Sequence, residues 1–263
     1  MKCATVALIF LSGIALFQGC AAAQDAAPAV KPPRAVEPRQ PDGPFDGLYS
    51  WSEHATAPLG IGRLHPDGST QSPYWMSEVS LPLFDRPQGT QWGWINRGWL
   101  EQGDESQPFS LAGMVETEYE VLSFVVTREA PDGWLQVRFG APTERDQGLA
   151  WLHRDHLAIG PLSLNYETWN ERFMSDEISP LYLRGDGPRV LRSAPSQEAE
   201  AIDGITGTHS IEPLEFNGEW LRVRVSQPSG YCTDDTGVKV TEGWITWWAE
   251  GPGPLVWHWT RGC

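Results

Sequence analysis

One stretch of the chain occurs twice, and it limits the possible folds more than any other feature. At 132–139 the sequence reads Asp132-Gly133-Trp134-Leu135-Gln136-Val137-Arg138-Phe139, and at 218–225 it reads Gly218-Glu219-Trp220-Leu221-Arg222-Val223-Arg224-Val225. Both copies open with a turn and a tryptophan and then alternate strictly. Leu135, Val137 and Phe139 point to one side of an extended chain, with Trp134, Gln136 and Arg138 on the other. Leu221, Val223 and Val225 repeat this against Trp220, Arg222 and Arg224. That is a half-buried strand made twice. Each copy is followed by a second strand-like segment, Ala150-Trp151-Leu152 or Gly243-Trp244-Ile245. Each is preceded at a distance by an apolar segment ending in proline, Pro82-Leu83-Phe84-Asp85-Arg86-Pro87 or Val190-Leu191-Arg192-Ser193-Ala194-Pro195. Duplication of a three-part unit within 263 residues predicts two small modules.

The modules are expected to be all-β. A hydrophobic fraction of 40% with 22 Pro and 27 Gly suits a globular body of strands and turns better than helices or disorder. The net charge of −15, with Lys2, Lys31 and Lys239 the only lysines, describes an acidic surface. Such a surface repels phosphate backbones and anionic head groups, which argues against nucleic acid as a partner.

Residues 1–20 read as an export signal. Met1-Lys2 is positive, and Val6 to Phe17 is apolar but too short to span a bilayer. Two processing routes are open. Leu16-Phe17-Gln18-Gly19-Cys20 resembles a bacterial lipobox, although Phe17 and Gln18 stand where Leu and a small residue are usual, and it would give a lipidated Cys20. Ala21-Ala22-Ala23 offers ordinary cleavage after 23 and a chain starting at Gln24. Residues 21–46 are rich in Ala and Pro, including Pro28, Pro32, Pro33, Pro38, Pro41 and Pro44, and predict an extended polyproline II tether. The functional alternative for such a run is a proline-rich ligand for another module. Export makes Cys232 and Cys263 most simply one disulfide, fastening the end of the strand-like Leu255–Trp259 to the 226–242 loop. Membrane association would come only through the possible anchor at Cys20, placing the protein in the periplasm or on the outer membrane as a lipoprotein.

The first module is placed at 47–159, with an N-terminal extension, and the second at 181–263. The connector, 160–180, contains Tyr166, Trp169 and Phe173 at helical spacing, which predicts two helical turns packed against a barrel. The run Gln91-Trp92-Gly93-Trp94-Ile95-Asn96-Arg97-Gly98-Trp99 has no counterpart in the second module.

The pattern of a Pro-ended strand, a glycine-containing turn before Trp-Leu-x-Val, and a closing Gly-Trp-Ile strand resembles the bacterial SH3-like (SH3b) family. The second module carries it as Leu191-Arg192-Ser193-Ala194-Pro195, Trp220-Leu221-Arg222-Val223 and Gly243-Trp244-Ile245. In the first, Ala150 replaces the usual Gly, and Ala150-Trp151-Leu152-His153-Arg154-Asp155-His156-Leu157 keeps the family's ending with His156 at an aromatic position. The resemblance covers about half of the chain. It implies two small SH3-like β-barrels in tandem that bind a cell-wall component or a peptide, and no wall-hydrolase domain accompanies them.

Trp134 and Trp220, on the face opposite the barrel-filling residues, are the leading candidates for a groove suited to sugars or peptides, with Trp151, His156 and Trp244 as further candidates. Their alternative use is to cover a barrel end or the junction between modules. His153 and His156 lack an acidic or Cys partner at metal-site spacing, and His54 and His65 fare no better, so no metal is expected. Arg184-Gly185-Asp186 spells an adhesion tripeptide but is first of all a turn. No nucleophile elbow, phosphate loop, His-Glu-x-x-His or Cys/His pair is found, so neither catalysis nor a cofactor is expected. The expected role is non-catalytic binding of peptidoglycan or an envelope peptide or protein. The alternative is an assembly factor whose barrels pack rigidly together and recruit a protein partner.

Overall fold

The computed structural model describes residues 27–41, 57–67, 75–118, 121–140, 148–175, 180–185, 187–229 and 237–258. The first part of the chain supplies β1 (Gly62–Pro66), β2 (Ser80–Phe84), β3 (Gln91–Asn96), β4 (Trp99–Gln102), β5 (Glu105–Pro108), β6 (Met114–Glu118), β7 (Val121–Ala130), β8 (Trp134–Arg138), β9 (Leu149–His153) and β10 (Leu164–Thr168). A short helix α1 (Trp169–Phe173) follows. The second part supplies β11 (Leu181–Leu183), β12 (Arg189–Arg192), β13 (Ala201–Ile205), β14 (Ser210–Asn217), β15 (Trp220–Gln227), β16 (Lys239–Thr246), β17 (Trp248–Ala249), β18 (Gly253–Pro254) and β19 (Val256–His258). The all-β expectation holds for these residues.

Among the described residues the strands collect into two large antiparallel sheets and a β17–β18 pair. The first sheet runs β10-β1-β7-β8-β9-β2-β3-β4-β5 with β6 on β7, and the second runs β13-β12-β16-β15-β14-β11-β19. Neither order returns to its start, so both sheets are open.

The duplication persists at the level of register. Leu135 faces Leu152 as Leu221 faces Ile245, Gln136 faces Trp151 as Arg222 faces Trp244, and Val137 faces Ala150 as Val223 faces Gly243. The strand of each Pro-ended segment then joins at the same place, through Phe84 with Trp151 and Arg192 with Trp244. The order β7-β8-β9-β2-β3 in one sheet is thus repeated as β14-β15-β16-β12-β13 in the other. Alternation sends Leu135 and Val137, and Leu221, Val223 and Val225, inward as expected, all fully buried.

Two hydrophobic cores result, and they share a wall. Met114, Leu122, Phe124 and Val126 enter the first core, while Val115 and Val125, from the same two strands β6 and β7, enter the second. The pleat sends successive residues to opposite faces, so one strand pair fills both cores. Leu59, Trp169 and Phe173 also pack with the second core, outside the 181–263 segment.

The connector differs from its predicted helical turns. Tyr166 lies in β10, which pairs with β1 from Gly62↔Thr168 to Pro66↔Leu164, and only Trp169 and Phe173 are helical. The break falls at Thr168, whose side chain caps the helix in a reciprocal capping box with Glu171. Tyr166 therefore packs against the first core, and Trp169 and Phe173 against the second. Trp169 and Phe173 meet Trp257 edge-on, at 4.9 and 5.7 Å between ring centres.

Candidate functional site

The hairpin β3–β4 turns through Arg97 and Gly98, both with positive φ of 51° and 86°. Two central residues of this kind make a type I′ turn, whose twist matches that of the flanking strands. Ile95 faces the first core, so its neighbours Trp94 and Asn96 face outward, with Glu101 and Trp99 opposite them on β4. On β2, Ser80 and Pro82 stand opposite Asn96 and Trp94. This outer face is nevertheless closed to water, with Trp94, Asn96, Glu101 and Ser80 all buried.

Residues 27–41 cover it. Ser80 Oγ donates to Asn96 Oδ1 at 2.9 Å, and Asn96 Nδ2 donates to Glu101 Oε1 at 2.8 Å and to the Arg34 carbonyl at 3.0 Å. The Arg34 N–H donates to the other Glu101 oxygen at 3.4 Å, so one Asn–Glu pair takes both backbone groups of one residue. Along the segment, the Lys31 N–H donates to Gln91 Oε1 at 2.9 Å and Trp99 Nε1 donates to the Glu37 carbonyl at 3.0 Å. The Arg39 N–H then donates to the Arg97 carbonyl at 2.9 Å. The Arg39 guanidinium lies 5.1 Å from the centre of the Trp99 ring, a cation–π distance. Arg34 Nη2 reaches the Gly103 carbonyl at 2.7 Å and Asp104 at 3.6 Å. At the other end His156 Nε2 meets the Pro28 carbonyl at 3.1 Å. Gly98 is needed twice, because a Cβ there would lie 1.9 Å from the Arg39 carbonyl oxygen.

The seated segment shows a period of three. Val30, Pro33, Val36 and Arg39 are half-buried, while the residues between them are exposed. Polyproline II has about three residues per turn and no internal hydrogen bonds, so one edge meets the sheet while its backbone polar groups stay available to side chains. The run read from sequence as a tether is, from 27 to 41, laid against the first sheet.

The sequence candidates fall elsewhere. Trp134 is 2% exposed and meets Phe84 and His153 edge-on at 5.1 and 5.3 Å. Trp220 is 7% exposed, between Asn217 and Thr246 in the sheet. Trp151 and Trp244 are half-buried at equivalent places in the two sheets. His156 is buried against Phe84, 5.9 Å between ring centres, and 5.8 Å from the His153 ring. Burial, then the nearby His153, hold its pKa below the ordinary imidazole value. Of the five, Trp134, Trp151 and His156 border Phe84 in the first sheet, Trp220 and Trp244 lie in the second, and His156 also meets the Pro28 carbonyl of the seated segment. His153 Nε2 is bonded to the Asp132 carbonyl, and no group of three or more metal-ligating side chains occurs among the described residues. Arg184 of the tripeptide is buried and bonded to the carbonyls of Ala57 and Pro254; burial lowers its pKa to about 10. Cys20, Cys232, Cys263, His54 and the export signal lie outside the described residues.

No family model matches the chain. Nor does any curated protein.

A second group of buried charge lies between the two large sheets. Arg63 donates to Glu167 at 2.7 Å, Thr117 Oγ1 at 2.6 Å and Glu118 at 3.3 Å; Arg172 donates to Glu118 and to the Thr117 carbonyl, both at 3.2 Å. His258, from β19, meets the same Thr117 carbonyl at 2.9 Å. This network ties β1, β6, β10, α1 and β19 together, and its arginines have carboxylate partners.

Sequence reasoning passed over Gln91, Asn96, Trp99 and Glu101. The available signal was the 91–99 run, whose Trp and Gly residues have no counterpart around the second copy of the repeated stretch.

Proposed function

We propose that this is a non-catalytic, exported envelope protein of two SH3-like modules, which recruits a protein partner by holding an extended peptide on the outer face of its first sheet. The observation that carries the reading is the Asn96–Glu101 pair taking both the N–H and the C=O of Arg34. Such a clamp reads an extended main chain and is indifferent to the side chain it carries. The repeated strand order and the Trp-Leu-x-Val register support two modules of SH3-like descent. The acidic composition and the export-signal pattern of residues 1–20 support an envelope location without nucleic acid. Burial of Trp134 and Trp220 weighs against a sugar platform built on those two rings.

A second reading, direct binding of peptidoglycan, is favoured by Trp151 and Trp244, which keep partial exposure at matching positions. Short peptides tiling envelope proteins, probed in parallel with purified sacculi, separate the two. Peptide binding that Asn96→Ala abolishes supports the first reading. Saturable sedimentation with sacculi, lost in Trp151→Ala or Trp244→Ala and unaffected by Asn96→Ala, replaces it with the second.

A further inference from the structure

We infer that the seat on β3 and β4 selects a basic, proline-rich peptide in the polyproline II conformation, and that residues 27–41 are a built-in occupant which a partner segment of the same chemistry displaces. The inference rests on the peptide-binding reading above and adds the ligand class and its regulation.

Three independent features of the seated segment specify the ligand. The first is spacing: an aliphatic residue or proline at every third position, Val30, Pro33 and Val36, continued by Arg39, is the face that meets the sheet. The second is the pattern of bonds. The N–H groups used belong to Lys31, Arg34 and Arg39, and the carbonyls to Pro28, Arg34 and Glu37. Prolines occupy only positions whose missing N–H is not called on. Lys31 and Glu37 each precede a proline, which biases them toward the extended conformation the seat requires. The third is charge. The segment carries Lys31, Arg34 and Arg39 against Glu37 alone, on a chain of net charge −15. Asp104 and the face of the Trp99 ring receive two of those cations.

The same features make the occupant exchangeable. A polyproline II segment has no hydrogen bonds of its own to lose, so it exchanges seat contacts for water without unfolding anything else. Its covalent connection to the body gives it a high effective concentration, so it masks the seat against weak ligands and yields to a partner that binds more tightly or through several copies.

The test uses the full chain. Val30→Asp with Val36→Asp removes two apolar contacts from the segment and leaves the sheet intact. Two readouts are taken: amide exchange at Arg34 and Arg39, and anisotropy of a labelled peptide of residues 27–41. A control peptide has the same composition with its prolines and valines moved off the three-residue spacing. The expected result is faster exchange at both amides and peptide binding tighter than to the wild-type chain by about ten-fold or more, because the competitor in cis has been weakened. Trp99→Phe in that background should weaken the binding, and the control peptide should not bind. Equal binding of both peptides overturns the polyproline specificity while leaving a general peptide seat. Free exchange with neither peptide bound overturns both. Protection persisting at Arg34 and Arg39 in the double variant overturns the assignment of the three-residue face as what holds the segment.

Discussion

Asn96 is almost sealed from water, and its side-chain amide joins three partners: Ser80 through its oxygen, Glu101 and the Arg34 carbonyl through its nitrogen. Asn96→Ala leaves the Glu101 carboxylate short of a donor in a buried place, at a cost of about 1 to 3 kcal/mol. Urea unfolding measures that cost, and faster exchange of the Arg34 amide should accompany it. Trp134 makes a different case. With Phe84 and His153 packed edge-on against it, Trp134→Ala should destabilise by about 3 to 5 kcal/mol, read as a lowered denaturation midpoint. Unchanged stability would return this ring to the list of ligand contacts. His156 sets a pH dependence. Its Nε2 meets Pro28, and its Nδ1 is buried without a partner among the described residues. The folded pKa is lowered, so between that value and the unfolded 6.5 the unfolded chain binds the proton that the folded chain refuses. Stability is therefore complete above pH 6.5 and falls as pH drops from 6.5 toward the folded value, and His65 and His209 shift in the same direction. Unfolding free energies across that window should show the loss, and His156→Gln should reduce its slope.

At the scale of elements, the β3–β4 hairpin both shapes the sheet and receives the segment. Gly98→Ala forces a side chain into φ of 86° and drives its Cβ into the Arg39 carbonyl. The strain should cost about 1 kcal/mol or more. Exchange at the Arg39 amide should accelerate, while amides of β8 and β15 stay protected; uniform acceleration would mean that the substitution had destabilised the whole molecule and not the hairpin seat. The duplicated strands β8 and β15 were legible because alternation is a local property, visible within eight residues of either copy. Tyr166, Trp169 and Phe173 show the limit of such patterns. Their spacing suits a helix, yet pairing of β10 with β1 takes Tyr166 into a strand and leaves the capping box at Thr168 to start the helix. A partner strand a hundred residues away outweighs a local preference.

For the whole molecule, the shared wall decides cooperativity. Val115 and Val125 fill one core while their neighbours in β6 and β7 fill the other, and Trp169 and Phe173 complete the second core from outside its own sheet. Both sheets should therefore unfold in a single transition. Trp169→Ala should lower that transition by about 3 to 5 kcal/mol without splitting it. Resolved transitions for the two sheets, followed by amide exchange, would show that the modules stand independently.

The sequence by itself determined the all-β class, the two repeated units and the residues that face inward in β8 and β15, because binary alternation and composition are written residue by residue. It also indicated that residues 21–46 favour an extended polyproline conformation. Only the tertiary structure decided where 27–41 lie and which polar residues meet them. Arg34 and Asn96 are 62 positions apart in the chain, and neither side of the contact has a periodicity that names the other. Only the tertiary structure, likewise, turned Trp134 and Trp220 from surface candidates into buried rings. Alternation states which face of a strand a side chain takes, and what covers that face depends on chain segments remote in sequence.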